Sequence, residues 1–263
     1  PCEVLTDRDC QNANRLLMPV PEEEEILQTF KKLVEANKEY IPEAGKGSIY
    51  LAPGLRASGS QLGVKPNSKY IFTCEAVPAG KIFDQPAKLW VEREFKRASK
   101  GGIGDHKAAG NYAPTFEAKK EAQEKGFDDV IFLNQSNTKT RELSSSNLFF
   151  VTKAGWLVTP PLSGEILDGI TRDSILEIAK DLKAKKLIKG FKVKEIHPKE
   201  YKNMKEAFSC GTGVTINGIA SIVDGDTEHV MDTSAGNMGE TSKLIADTFH
   251  RILRGEERDN PRY

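Results

Sequence analysis

The chain has 263 residues, enough for one large domain or two modest ones with a sizeable core. Lysine plus arginine and aspartate plus glutamate are equal at 38 each, which gives no overall bias toward nucleic acid or an anionic membrane surface. No apolar run approaches the roughly 20 residues of a membrane span, and composition is ordinary for a globular protein. The four cysteines (Cys2, Cys10, Cys74 and Cys210) show no CxxC spacing. They read as reduced thiols of an intracellular protein, in the cytoplasm or in a plastid or mitochondrion, with a disulfide pair as the alternative. Pro1 leads the chain, which is compatible with a processed product or a fragment, and no signal peptide is visible.

In chain order, Pro21 to Tyr40 is predicted to be an amphipathic helix. Its glutamates favour the positive N-terminal end, and Ile26, Phe30 and Leu33 recur at helical spacing. Ser48 to Pro53 and Lys69 to Ala76 read as strands. Residues 77–88 hold Pro78, Gly80 and Pro86 and read as an interdomain linker, which sets a small domain at 1–76 and a large one at 89–263. Pro114 to Lys125 is predicted as a helix stopped by Gly126. Asp129–Leu133, Asn147–Val151 and Trp156–Thr159 read as strands, Thr171–Lys185 as a helix, Gly213–Val223 as a strand and Glu240–Arg254 as a closing helix. No strict βαβ alternation is visible, so the expected class is α+β. The lysine-rich run from Lys180 to Lys194 reads as a solvated face.

The run GGIGDHKAAGNY, Gly101 to Tyr112, carries the most chemical information. Lys107 sits among residues small enough for a flat ligand to approach, although an incidental lysine in a flexible loop has the same composition. Tyr112 is either a core aromatic or a hydroxyl donor to a ring oxygen. Glu142 precedes Leu143-Ser144-Ser145-Ser146-Asn147; it is either a surface glutamate at a strand entrance or a carboxylate for a pyridine nitrogen. Gly169-Ile170-Thr171 opens a helix whose free N–H groups can cradle phosphate, or Thr171 merely caps it. Gly211-Thr212-Gly213 is a tight turn or an anion-binding one. Together these are the parts of a pyridoxal phosphate site. His106 points away from its neighbour Lys107 on an extended backbone, and His197, His229 and His250 have no metal spacing, so no metal is expected.

With these residues stand the stretches NANRLLMPVP, GKGSIYLAP, LGV at 62–64, KRASKGGIGDHKAAGNYAP, EAKKEAQEKGFDDVIFLN, RELSSSNLFFV, LVTPPLSGEILDGITRDSILEIA and EAFSCGTG. In this order the chain resembles the branched-chain amino acid aminotransferases, fold-type IV pyridoxal phosphate enzymes, above all the plant and bacterial members. The resemblance implies a two-domain fold of the D-amino acid aminotransferase type and transamination of leucine, isoleucine and valine with 2-oxoglutarate in a homodimer. It implies that Lys107 binds the cofactor covalently and shuttles a proton. It places Glu142 at the pyridine nitrogen, Tyr112 at the phenolate oxygen, and Ile170, Thr171 and Thr212 at the phosphate. Ser145 and Arg97 are further cofactor-binding candidates, and Thr212 and Gly213 are to receive the substrate carboxylate.

Two departures accompany the resemblance. The family's strand motif places an arginine before proline, and it grips the phosphate; here Tyr50-Leu51-Ala52-Pro53 puts Ala52 there. Losing such a contact costs roughly 1.5–3 kcal/mol, or about 10- to 150-fold in affinity. The family also has strands before the part matching residues 1–20, so the small domain is expected to be truncated. A degenerate homologue kept for binding or assembly is the alternative from another class. Within the fold type, D-amino acid aminotransferases and aminodeoxychorismate lyases fit the Gly101–Tyr112 stretch less well.

Overall fold

Side chains alternating along Asn147–Thr152 set the architecture: Leu148 and Phe150 enter one apolar cluster, Phe149 and Val151 another. A strand whose two faces are both buried belongs in a covered sheet. The computed structural model describes residues 10–43, 46–60, 62–80 and 85–256. It divides the chain into two units, Pro1–Ile82 and Phe83–Tyr263.

In the first unit, helix α1 (Glu23–Ala36) is followed by strands β1 (Ser48–Ala57) and β2 (Tyr70–Ala79), paired antiparallel from Ser48↔Ala79 to Ala57↔Tyr70. The helix starts two residues later than expected because Pro21 and Glu22 lie outside it, and its last turn tightens into a 3-10 segment, Lys38–Tyr40. Only Ala13 and Ile26 are buried apolar residues among those described in this unit. Pairing runs without a break past Ala52, so Arg56 stays on the same strand, about 13 Å along it.

The second unit is built on a mixed sheet of nine strands among the described residues. The strands are β3 (Ala87–Glu92), β4 (Asp129–Leu133), β5 (Thr140–Leu143), β6 (Asn147–Thr152), β7 (Trp156–Thr159), β8 (Gly190–Val193), β9 (Met204–Gly211), β10 (Thr215–Asp224) and β11 (Thr227–Val230). Their order is β5-β4-β3-β10-β9-β6-β7-β8, with β11 beside β10. The class is α+β, as expected. Two parallel pairs, β3–β4 and β7–β8, nevertheless enclose helices α2 (Phe116–Glu124) and α3 (Ile170–Ala184) as βαβ units. Helices α3 and α4 (Glu240–Leu253) cover one cluster through Ile175, Ile178, Leu182, Ile245 and Phe249. No helix among the described residues is long and apolar enough to cross a membrane.

The turn between β5 and β6 forces the sheet to curl. The two strands lie five places apart, about 24 Å in a flat sheet. The four Cα steps from Leu143 to Asn147 reach at most about 14 Å. Curling brings the ends together, and the Leu143 N–H donates to the Ser146 carbonyl at 3.0 Å. Glu142 and Asn147 flank that closure.

Some boundaries differ from expectation for clear reasons. Strand β2 continues to Ala79 and β3 begins at Ala87, so regular structure enters both ends of the expected 77–88 segment. Cys2 and residues 81–84 lie outside the described residues. Strand β10 starts at Thr215, not Gly213, because Thr212 to Val214 form the turn from β9. The lysine-rich run contains β8, whose Lys192, with Lys189 just before the strand, covers the Trp156 ring at 4.1 and 5.5 Å from its centroid.

Candidate active site

Lys107 is held by its loop. The Asn111 side-chain amide donates to the Ile103 and His106 carbonyls at 2.5 and 2.7 Å, cinching the backbone around it. Gly104 sits where a β-carbon would meet Ala98 Cβ at 2.5 Å and the Gly164 carbonyl at 3.0 Å, so the loop lies flat against the 164–165 segment. The exposed Lys107 side chain reaches Tyr112, with Nζ 3.3 Å from the phenol oxygen and 5.6 Å from the ring centroid. His106 pairs with Asp105 at 2.6 Å, leaving the lysine to Tyr112.

Glu142 is buried at the end of β5. Its Oε1 accepts from Arg97 Nη1 at 2.8 Å and from the Leu167 N–H at 2.9 Å; its Oε2 accepts from Asn147 Nδ2 at 2.8 Å. Burial pushes the carboxyl up to about 7, outweighing Arg97, the Leu167 N–H, Lys107 and Arg172, which all favour the charged form. Such a group sits at the edge of ionisation near neutral pH, and a cationic N–H beside it would complete the charge.

Arg97 contacts that carboxylate as its ion partner, and its Nη1 also donates to the Gly104 and Glu165 carbonyls at 3.2 Å each. It thereby ties the Lys107 loop to Glu142. Neighbouring Arg141 binds Glu165 Oε2 at 2.8 Å and Glu195 Oε2 at 3.0 Å, fixing the 165 segment from the other side.

Helix α3 starts at Ile170 after Gly169, which serves as N-cap with no side-chain hydrogen bond. Thr171 is therefore inside the first turn and does not cap the helix. The first N–H groups of a helix lack intrahelical acceptors, so this terminus offers an anion site. Asn147 Oδ1 crowds Gly169: an added β-carbon would lie 2.1 Å from it.

Ser145 is exposed at the tip of the β5–β6 turn, whereas Ser144 is buried and donates to Asp129 at 2.9 Å. Gly211 lies against Ser146 and the Ser145 carbonyl. Thr212 and Gly213 are exposed at the turn that follows, where Thr215 holds a φ of +57°, costly for a β-branched residue. The structure thus joins Arg97, Lys107, Tyr112 and Glu142 through bonds and charge. The Ile170–Thr171 terminus joins them through Leu167 and Asn147. The Thr212 turn is reached through Cys210, the strand partner of Asn147. Asn147 and Glu165 were not singled out from sequence; an amide closing a run of serines five residues after Glu142 was the available signal.

Comparison with known proteins gives the family of the chain. The family model described as Amino-transferase class IV matches residues 7–222. The chain belongs to the class IV aminotransferases. It is 41% identical over 216 residues to the mitochondrial branched-chain amino acid aminotransferase 1 of Humulus lupulus, covering 80% of this chain and 53% of that one. The branched-chain aminotransferase of the archaeon Thermoproteus uzoniensis, crystallised with norvaline, superposes with a TM-score of 0.82 at 29% identity over 96% of this chain and 79% of that one. The PLP (holo) form of the branched-chain amino acid aminotransferase from Thermobaculum terrenum gives 0.80 at 26% identity over 97% and 79%. The chain spans between 53% and 60% of the length of the hop and Arabidopsis relatives it matches.

Proposed function

We propose that this chain is a pyridoxal phosphate-dependent aminotransferase that moves the amino group of leucine, isoleucine or valine to 2-oxoglutarate. The observation that carries the reading is Glu142: a buried carboxyl poised near neutrality, held by three donors, bonded to Leu167 just before an uncapped helix terminus and within charge range of Lys107, which bonds Tyr112. These residues fit the cofactor's chemistry at each end. The Ile170 and Thr171 N–H groups, with Thr212, would hold the phosphate, Glu142 the pyridine nitrogen and Tyr112 the phenolate oxygen. The cofactor supplies an electron sink for the substrate's α-carbon. Lys107 Nζ would carry the covalent attachment and hold or move the proton at that carbon. Backbone N–H groups at Thr212 and Gly213 receive the substrate carboxylate.

Named relatives support the substrate class, and the resemblance supports a homodimer, which light scattering on the purified protein tests. Relatives named as mitochondrial or chloroplastic support an intracellular compartment.

The direct test is an absorbance spectrum from about 300 to 500 nm with pyridoxal phosphate, repeated after adding leucine. A cofactor band lost in Lys107→Ala and shifted by L-leucine, but not by D-leucine, supports the reading. Free cofactor alone refutes it. A second reading, a homologue that binds without turnover, is favoured by Ala52, which stands where the resemblance expects an arginine and lies on a strand that runs unbroken to Arg56. Lys107-dependent amino transfer would exclude it.

A further inference from the structure

Five hydrogen bonds and one close approach meet around Asn147 and Glu142. Asn147 Nδ2 donates to Glu142 Oε2 at 2.8 Å and to the Leu167 carbonyl at 2.9 Å. The N–H of that same Leu167 donates to Glu142 Oε1 at 2.9 Å. Both backbone polar groups of Leu167 are therefore held, the N–H by Glu142 and the carbonyl by Asn147. Two residues on, Gly169 lies so close to Asn147 Oδ1 that no other side chain fits. The Leu143 N–H to Ser146 carbonyl bond closes the turn beneath, and Arg97 fixes the outer face of the carboxylate. All three members, Glu142, Asn147 and Thr171 at the helix start, are buried.

We propose that Asn147 is a positioning residue that sets the distance between Glu142 and the N-terminus of α3, so that one rigid ligand can engage both at once. The proposal rests on the reading of this site as a pyridoxal phosphate site. That cofactor is a flat ring with a short phosphate arm, so its two ends have a fixed separation. A ligand touching one anchor gains nothing from a correct spacing; a ligand touching both gains all of it. Asn147 reaches Glu142 and the Leu167–Gly169 lead-in to α3 with a single amide. Its side chain is short, with two torsions, and both of its amide hydrogens are committed, so it has no alternative placement.

The test compares Asn147→Leu, close in volume but without hydrogen bonds, with the wild type. Two probes are titrated: pyridoxal 5′-phosphate, followed by absorbance, and inorganic phosphate, followed as its competitor. Pyridoxal 5′-phosphate is expected to bind about 10- to 100-fold more weakly to Asn147→Leu, while inorganic phosphate, which does not reach Glu142, keeps its wild-type affinity. Unchanged cofactor affinity overturns the proposal, and so does an equal loss for both probes, which would make Asn147 a support of the helix end only. If the wild type forms no borohydride-reducible link to Lys107, the site reading itself fails, a separate result.

Asn147→Asp serves where Asn147→Leu does not fold. Two carboxyls would then face each other within hydrogen-bond distance, beside Arg97, Lys107 and Arg172, and could bond only by sharing a proton. Cofactor affinity in Asn147→Asp is expected to approach wild type at about pH 6 and to fall about tenfold or more by about pH 8. A pH dependence parallel to wild type overturns the proposal.

Discussion

Gly169 and Asn147 interlock: a β-carbon on the glycine would lie 2.1 Å from the asparagine's side-chain oxygen. The constraint is one of space, since the Gly169 φ of −78° is open to any residue. Gly169→Ala must therefore push Asn147 off Glu142 or shift the start of α3. An overpacked site of this kind costs about 1–3 kcal/mol. Denaturation of the variant measures that cost, and wild-type stability together with wild-type cofactor affinity would show that the two elements are free to separate.

Ionisation of Glu142 links the site to stability. The folded protein holds this proton up to about pH 7, whereas the unfolded chain releases it near 4.5. The stabilisation from the neutral carboxyl is complete below the unfolded value and is lost as pH rises through about 7. Cofactor-free protein should lose up to about 3 kcal/mol across that window from this group. Asp129, also raised by burial, acts in the same direction. Glu142→Gln should remove the Glu142 share of the slope, which chemical denaturation of cofactor-free protein at several pH values resolves.

Lys107 and Asn111 separate chemistry from support. Lys107 is exposed, so Lys107→Ala should change stability by no more than about 0.5 kcal/mol while abolishing borohydride fixation of the cofactor. Asn111→Ala leaves two carbonyls without their donor and should cost about 1–3 kcal/mol. The reverse ranking in thermal denaturation would contradict the loop geometry.

Ala52 offers a gain of function. The family resemblance puts a phosphate-binding arginine at this position, and the described strand is regular there. On the proposed function, and with the arginine role that the resemblance implies, Ala52→Arg should tighten pyridoxal phosphate about 10- to 150-fold. Equal affinity in the two proteins would mean that the site has dispensed with this contact.

Much of the fold follows from local pattern, and the exceptions share a cause. Asp129–Leu133 and Trp156–Thr159 read correctly as strands because apolar runs of that length have few other homes. Helix α3 was legible from Ile175, Ile178 and Leu182. Strand β5, Thr-Arg-Glu-Leu, was not: Arg141 and Glu142 look exposed until Glu165, Glu195 and Arg97 arrive from distant segments. Strand β9 hides similarly, because Glu206 is buried beneath the start of α4, accepting from the Thr241 and Ser242 N–H groups. Strand β8 is masked by lysines that lie over Trp156. In the site, Lys107, Tyr112 and Glu142 were visible as residue types. The Asn147 bridge was not, since it depends on the sheet's curl.

The parallel register of β3 with β10, Ala87 against Ile219 and Trp90 against Val223, joins segments far apart in the chain. As the polypeptide leaves the ribosome, β3, β4 and β5 can assemble early, but one edge of β3 stays open until β10 has been made. A product ending just before Thr215 would carry two partial sheets, β5-β4-β3 and β9-β6-β7-β8, without the β10 strand that joins them. An open, apolar parallel edge invites pairing with other chains. Synthesis of this unit thus has a long interval in which the β3 edge waits for β10.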